Sequence, residues 1–201
     1  MINQNLCHNI ERSSAYVLQV NPFHLAFSNC FVSTSTETSL LVMGITASIA
    51  QALQFIHEKG IAHLDVKPDN IYVKNGVYKL GDFGRATLLD KSLPIEEGDA
   101  RYMPQEILNE DYDHLDKVDV FSLGATMYEL IKGSPLPESG PQFLNLRDGK
   151  LPLLPGHSLQ FQNFLKAMVD PDPVQRPSAK ELVENPIFDK IRKHRKTYMK
   201  P

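Results

Sequence analysis

His63-Leu64-Asp65-Val66-Lys67-Pro68-Asp69-Asn70, followed twelve residues after the asparagine by Asp82-Phe83-Gly84, is the stretch on which the fold and chemistry of this 201-residue chain turn. These residue types at this spacing suit phosphoryl transfer, in which a protein mainly positions groups and neutralises charge. Asp65 is the candidate acceptor of a substrate hydroxyl proton, and Lys67 the point charge for the transferred phosphate. Asn70 and Asp82 are the candidate metal ligands, because magnesium takes hard oxygen donors and keeps several waters. Between them, Ile71-Tyr72-Val73 and Val77-Tyr78-Lys79-Leu80 read as short strands joined at Asn75-Gly76, a hairpin signal that would carry both ligands to one ion. With each residue type at about 5% usage, five fixed positions match by chance in roughly one chain in ten thousand, which sets coincidence aside. An internal control points the same way. His114-Leu115-Asp116 repeats the first triplet, but Lys117 follows directly and Phe121 stands where an asparagine is needed, so that copy reads as an ordinary charged helix start.

Composition bounds the class. At 42% apolar and 22% charged residues, the chain is long enough for one globular domain with a sizeable core. Two cysteines, Cys7 and Cys30, make no disulfide framework and fit a reducing compartment, nuclear or cytoplasmic. A net charge of −3 does not point to nucleic acid. The sign is uneven, because Lys190, Arg192, Lys193, Arg195, Lys196 and Lys200 crowd the last twelve residues with no acid among them. Such a tail reads first as a solvated end, with a nuclear-import or acidic-partner patch as the sharper alternative. No secretory signal is expected, since Glu11 and Arg12 balance and no basic stretch precedes an apolar core. Residues 40 to 56 are uncharged and approach membrane-span length. Thr46, Ser48, Gln51 and Gln54 dilute them, however, and Ile45, Ile49, Ala52, Leu53 and Ile56 fall at helical spacing, which favours an amphipathic core helix.

The order of elements predicts a mainly α (α+β) domain: a helical bundle around a buried central helix, with a small β-hairpin carrying the metal ligands. Residues 1–42 look unlike the rest, with only Glu11, Arg12 and Glu37 as charges. Residues 43–189 form the motif-bearing lobe and 190–201 the basic tail. A first helix is expected to end at Gly60, and residues 82 to 106 read as irregular. Val118 to Ile131 is apolar on nearly every face, the pattern of a helix buried all round. A Pro- and Gly-rich connection follows, then a packed helix around Leu159, Phe161, Phe164, Leu165 and Met168. Ser178-Ala179-Lys180-Glu181 matches a capping box for a last helix, stopped by Asn185-Pro186.

In this order the motifs resemble the C-terminal lobe of a eukaryotic protein kinase over residues 45 to 189. His63-Leu64-Asp65 resembles the catalytic loop, Asp82-Phe83-Gly84 the magnesium motif, and Met103-Pro104-Gln105-Glu106 an altered Ala-Pro-Glu. Asp119-Val120-Phe121-Ser122-Leu123-Gly124 resembles the start of the central helix, and Arg176 the family's late arginine. The resemblance implies ATP as phosphate donor with Mg2+, a Glu106–Arg176 ion pair, Asp119 bonding back to the catalytic-loop backbone, and supporting roles for His63, Phe83 and Gly84. More narrowly, Gly81, Leu64 and Glu96-Glu97-Gly98-Asp99-Ala100-Arg101-Tyr102 are similar to the Wee kinases, plant-type members especially. That family restrains entry into mitosis by phosphorylating a tyrosine in the ATP-binding loop of cyclin-dependent kinases. It implies a protein substrate of that kind, a nuclear setting and checkpoint control; a monomer with no nucleic-acid or membrane partner is expected. Lys67-Pro68-Asp69-Asn70 is instead the pattern shared with serine/threonine kinases, so the acceptor stays open between tyrosine and serine/threonine. Leu64 stands where kinases switched on by phosphorylation commonly carry a phosphate-binding arginine. The acidic Glu96, Glu97 and Asp99, with Arg101, are therefore expected to order this segment without modification of Thr87 or Tyr102. Tyr72 falls beneath the expected adenine site, where an aromatic could stack, though plain core is an equal reading.

A complete kinase also needs a glycine-rich loop and a strand lysine paired with a helix glutamate. Gly44 is the only glycine before Gly60, and no lysine precedes Lys59. Residues 43–189 thus read as a truncated kinase domain, expected by itself to bind ATP weakly and catalyse little. Three readings follow: the catalytic lobe of a Wee-type kinase, a non-catalytic lobe that grips a partner, and a generic serine/threonine kinase fragment. The intact Asp65, Lys67, Asn70 and Asp82 favour the first, since a pure binding module has no use for a metal pair.

Overall fold

Ile45, Ile49, Leu53 and Ile56 recur at helical spacing and are all buried, forming the inner face of α1 (Ser35–His57). The computed structural model describes residues 35–74 and 77–189. Most of the atypical first segment, the Asn75-Gly76 turn and the basic tail lie outside these residues. The hydroxyls that dilute the apolar run bond back along the helix, Thr46 Oγ1 to the Val42 carbonyl at 2.8 Å and Ser48 Oγ to that of Gly44 at 2.9 Å. They are thereby buried at little cost. This helix is long and apolar enough to cross a membrane, but its inner face is spent on the domain core. Its start at Ser35 lies within the stretch read as atypical, because the Ser- and Thr-rich first turn carries no apolar period. Gly60, at φ +73, reverses the chain after it.

The remaining elements follow in order. β1 (Ile61–Ala62) precedes the loop that carries Asp65, and a 3₁₀ turn (Pro68–Asn70) leads into β2 (Ile71–Lys74) and β3 (Val77–Leu80). β4 (Thr87–Leu88), a 3₁₀ turn (Ala100–Tyr102) and α2 (Gln105–Leu108) interrupt the segment expected to be irregular. Then come α3 (Leu115–Lys132), α4 (Pro141–Arg147), α5 (Leu159–Met168), α6 (Ala179–Glu184) and a closing 3₁₀ turn (Pro186–Phe188). β2 and β3 pair antiparallel from Ile71↔Leu80 to Lys74↔Val77, and β1 pairs β4 through Ile61↔Leu88 and Ala62↔Thr87.

α3 is the central post, packed against α1 on one side and α5 on another. It is buried from Val118 to Met127, while its last turn, Tyr128 to Lys132, reaches the surface. Leu159 likewise faces solvent at the start of α5, whose Phe161, Phe164, Leu165 and Met168 face inward. The Ser178 capping box forms as expected: Ser178 Oγ accepts from the Glu181 amide, and the Glu181 carboxylate accepts from the Ser178 amide. α4 begins in the Pro- and Gly-rich stretch read as a connection; Gly140 supplies its N-cap and Pro141 its first turn, a legitimate helix start that an apolar period does not announce.

Candidate active site

The loop around Asp65 is fixed from below by one buried carboxylate. Asp119, at the N-terminal end of α3, accepts from the amides of His63 and Leu64, each at 2.8 Å, and from His57 Nε2 at 2.8 Å. Ionised acceptors of this kind make the stronger hydrogen bonds. They hold Leu64 at φ 61, a conformation that non-glycine residues seldom adopt and that persists only where its surroundings over-determine it. The Leu64 side chain drops into an apolar cluster with Met103, Ile107, Leu115 and Val118.

His63 ties this loop to the strand end that bears Asp82. Its Nε2 donates to the Gly81 carbonyl at 3.0 Å, and its Nδ1 accepts the Asp65 amide at 3.2 Å. Those two partners require the neutral ring. Full burial agrees, pushing its pKa below the ordinary histidine value despite the pull of Asp119. Phe83 packs edge-on against it, ring centroids 4.8 Å apart.

Asp65, Lys67 and Asn70 meet directly. Asn70 Nδ2 donates both to the Asp65 carbonyl and to its Oδ2, each at 2.8 Å, and Lys67 Nζ lies 3.0 Å from that same oxygen. Asp65 Oδ1 accepts the amide of Asp99 at 3.0 Å. Gly98 makes this approach possible, since a Cβ there would stand 2.3 Å from the Leu64 carbonyl and 2.6 Å from Asp65 Oδ1. With its nitrogen twice engaged, Asn70 is left with its amide oxygen for other duties.

Asp82 joins the group through the hairpin backbone. The register Ile71↔Leu80 continues into a hydrogen bond from the Gly81 amide to the Asn70 carbonyl at 3.0 Å, so Asn70 and Asp82 stand at the same open end. Asp82 adopts φ 56, is exposed, and accepts the Gly84 amide at 3.2 Å. Tyr72 lies half-buried on the same hairpin; burial, then the charges of Asp82 and Asp69, raise its pKa. The Asp82 carboxylate and the Asn70 amide oxygen are hard-oxygen donors of the type a divalent cation takes.

The acidic segment is held by its own charges. Glu96 meets Arg85 at 2.7 Å, and Glu97 accepts from the Tyr112 hydroxyl at 3.1 Å. Asp99 takes Nε and Nη2 of Arg101 at 3.0 and 2.6 Å while lying 4.0 Å from Lys67. The Arg101 hydrogen bond, first among its causes, lowers the Asp99 pKa. Thr87 and Tyr102 are both buried, the Tyr102 hydroxyl donating to Glu129 at 2.8 Å. At the segment's end Arg176, 1% exposed, takes the Glu106 carboxylate in a two-point grip at 2.5 and 3.0 Å.

Each candidate site residue lies among the described residues. Asp65, Lys67 and Asn70 form one bonded group, and Tyr72 lies on the hairpin and Asp82, bonded by the Gly84 amide, just past it. Asp119 and His63 hold the loop with Phe83 against the His63 ring, and Glu106 and Arg176 pair with each other at the end of the acidic segment. Sequence reading missed the close approach of Gly98, which its place between acidic neighbours does not signal, and Arg147, which no motif marks.

A family model described as "Protein kinase domain" matches residues 16–188. Over 157 residues the chain is 73% identical to a Wee1-like protein kinase of Arabidopsis thaliana, covering 78% of this chain and 31% of that protein. A Wee1-like protein kinase of Oryza sativa subsp. japonica is 70% identical over 72% of the chain and 28% of its own length. For a Wee1-like protein kinase of Drosophila melanogaster the identity is 35%, over 71% of the chain and 29% of that protein. The chain thus spans a little under a third of the length of the relatives it matches.

Proposed function

We propose that this chain, which belongs to the protein kinase domain family, supplies the acceptor and metal side of a site that transfers the γ-phosphate of ATP to a protein hydroxyl. The observation that carries this reading is the bonded group Asp65–Lys67–Asn70 at the open end of the hairpin bearing Asp82. Asp65 Oδ2 is occupied by Asn70 and Lys67, and Oδ1 holds one amide, so the remaining lone pair of Oδ1 is the one that takes the substrate proton. Lys67 keeps a further N–H for the transferred phosphoryl oxygen. Asn70 Oδ1 and the Asp82 carboxylate would hold Mg2+, which when bound neutralises charge on the nucleotide phosphates. Tyr72 would flank the adenine. The glycine-rich loop and strand lysine of the family are not found in residues 1–58, so these residues depend on others for the grip on the nucleotide.

The acceptor we assign is the tyrosine hydroxyl of a cyclin-dependent kinase, on the strength of the segment Glu96–Tyr102 and the similarity to Wee1-like protein kinases, and with it a nuclear role in restraining mitosis. The test is phosphate incorporation by the chain placed behind a kinase N-terminal lobe that bears a glycine-rich loop and strand lysine. Peptides copying the ATP-binding loop of a cyclin-dependent kinase would be offered with tyrosine or serine as acceptor. Incorporation on tyrosine, lost in Asp65→Asn, supports the reading; incorporation on serine alone points to the serine/threonine pattern of Lys67-Pro68-Asp69-Asn70. No incorporation on either refutes a catalytic role.

A further inference from the structure

Arg147 ends α4 as a buried cation with no carboxylate beside it among the described residues. Asp148, next in the chain, is paired with Lys150 instead. Desolvation alone lowers the Arg147 pKa to about 10, and its Nε is buried without a hydrogen-bond partner. A guanidinium is costly to bury in this way, and what compensates it is a set of dipoles. Nη1 donates to the Phe143 carbonyl at 2.8 Å, and the ion sits 3.4 Å over the Phe143 ring. Nη2 donates to the carbonyl of Ala100, with that of Arg101 at 3.5 Å. The fork therefore reaches from α4 into the turn that follows Asp99.

That turn touches the reacting groups. The Asp99 amide bonds Asp65 Oδ1, its carboxylate lies 4.0 Å from Lys67, and its carbonyl accepts the Tyr102 amide at 3.0 Å. Further along, Ser122 Oγ donates to the Tyr102 carbonyl at 2.9 Å. The Arg147 fork thus holds the first two carbonyls of the turn, and α3 holds the third.

We propose that Arg147 is a positioning residue, which pins the carbonyls of Ala100 and Arg101 and so keeps Asp99 in register with Asp65 and Lys67 where the protein acceptor must dock. The inference rests on the kinase reading of Asp65 and Lys67, but its first test does not. Lysine cannot replace the fork, because a single ammonium does not reach two carbonyls and a ring face at once.

Amide hydrogen exchange on the 201-residue chain is the experiment. In Arg147→Met the amides of Asp99, Arg101 and Tyr102 should exchange about tenfold faster or more, as expected for the loss of hydrogen bonds from a charged donor. Those of α3 between Asp119 and Met127 should keep their protection, and Arg147→Lys should recover part of the loss. Unchanged exchange at the turn, or an equal rise throughout α3 and α5, would overturn the proposal. Arg147→Gln, which keeps an amide donor group without burying a charge, carries the same contrast if the methionine variant does not fold. Behind a complete N-terminal lobe, Arg147→Lys should raise KM for the protein acceptor severalfold and leave KM for ATP in place; an unchanged acceptor KM overturns the docking role. Absence of transfer by the parent protein would count against the kinase reading alone, since the exchange result judges Arg147 separately.

Discussion

Glu106→Gln removes the only carboxylate, among the described residues, in contact with the Arg176 guanidinium, whose side chain is 0% exposed. Arg176 would then keep its bonds to the carbonyls of Asp170 at 2.7 Å, Lys117 at 3.3 Å and Pro171 at 3.4 Å, and its place over the Phe121 ring. The glutamine oxygen replaces one of two contacts and none of the charge. Breaking a buried pair by removing one partner costs about 3–5 kcal/mol, and the surviving carbonyls put this case near 3 kcal/mol. In a domain of this size each kcal/mol moves the midpoint by about 2–4 °C, so Tm should fall by about 6–12 °C. Urea unfolding should show the same loss with an unchanged slope. Arg176→Met and the double variant complete a cycle, in which the double change should cost less than the sum of the singles by at least about 1.5 kcal/mol. A loss under about 1 kcal/mol for Glu106→Gln, or additivity in the cycle, would refute the idea that this pair locks the segment's end to the helical lobe.

Gly98→Ala forces a Cβ to within 2.3 Å of the Leu64 carbonyl, so the backbone must move off Asp65. The amides of Asp99 and Asp65 should shift strongly in 15N spectra, whereas unaltered spectra would contradict the packing. Leu64→Arg, although it restores the residue common in phosphorylation-switched kinases, drives a charge into the cluster of Met103, Ile107, Leu115 and Val118. Denaturation should show a loss of about 3 kcal/mol or more, and no gain in response to phosphorylation. Burial holds His63 below its ordinary pKa, so below that value the unfolded chain binds more protons than the folded one. Stability should be full above about pH 6.5 and decline as the pH falls from there through the lower folded value. His157, also lowered by burial, slopes the same way, so the check is that His63→Gln makes the urea midpoint depend less on pH between about pH 5 and pH 7 than it does in the parent.

Long apolar periods and motif chemistry made much of this molecule legible. The inner face of α1, the buried run of α3 and the capping box at Ser178 each follow from local rules that tertiary contacts reinforce. The hairpin and the loop from His63 to Asn70 were equally readable, because few other arrangements of those residues serve one chemistry. What escaped was short or non-local. β1 and β4 have two residues each and no period, and they exist because they pair with each other. α4 hides behind Gly140 and Pro141, which read as loop until the N-terminal asymmetry of helices is applied. The grip of Arg147 on Ala100 joins residues 47 apart, and nothing in either neighbourhood announces it.

The proposed metal ligands, Asn70 and Asp82, are the heart of the assignment, and paramagnetic relaxation addresses them even where nucleotide binding is weak. Mn2+ and ATP would be titrated into the 15N-labelled chain, with the side-chain amide of Asn70 and the backbone amides from Gly81 to Gly84 as reporters. Those signals should broaden first, and Asp82→Asn should abolish the effect. Broadening centred elsewhere, or broadening that survives Asp82→Asn, would contradict a shared cation between the catalytic loop and the hairpin.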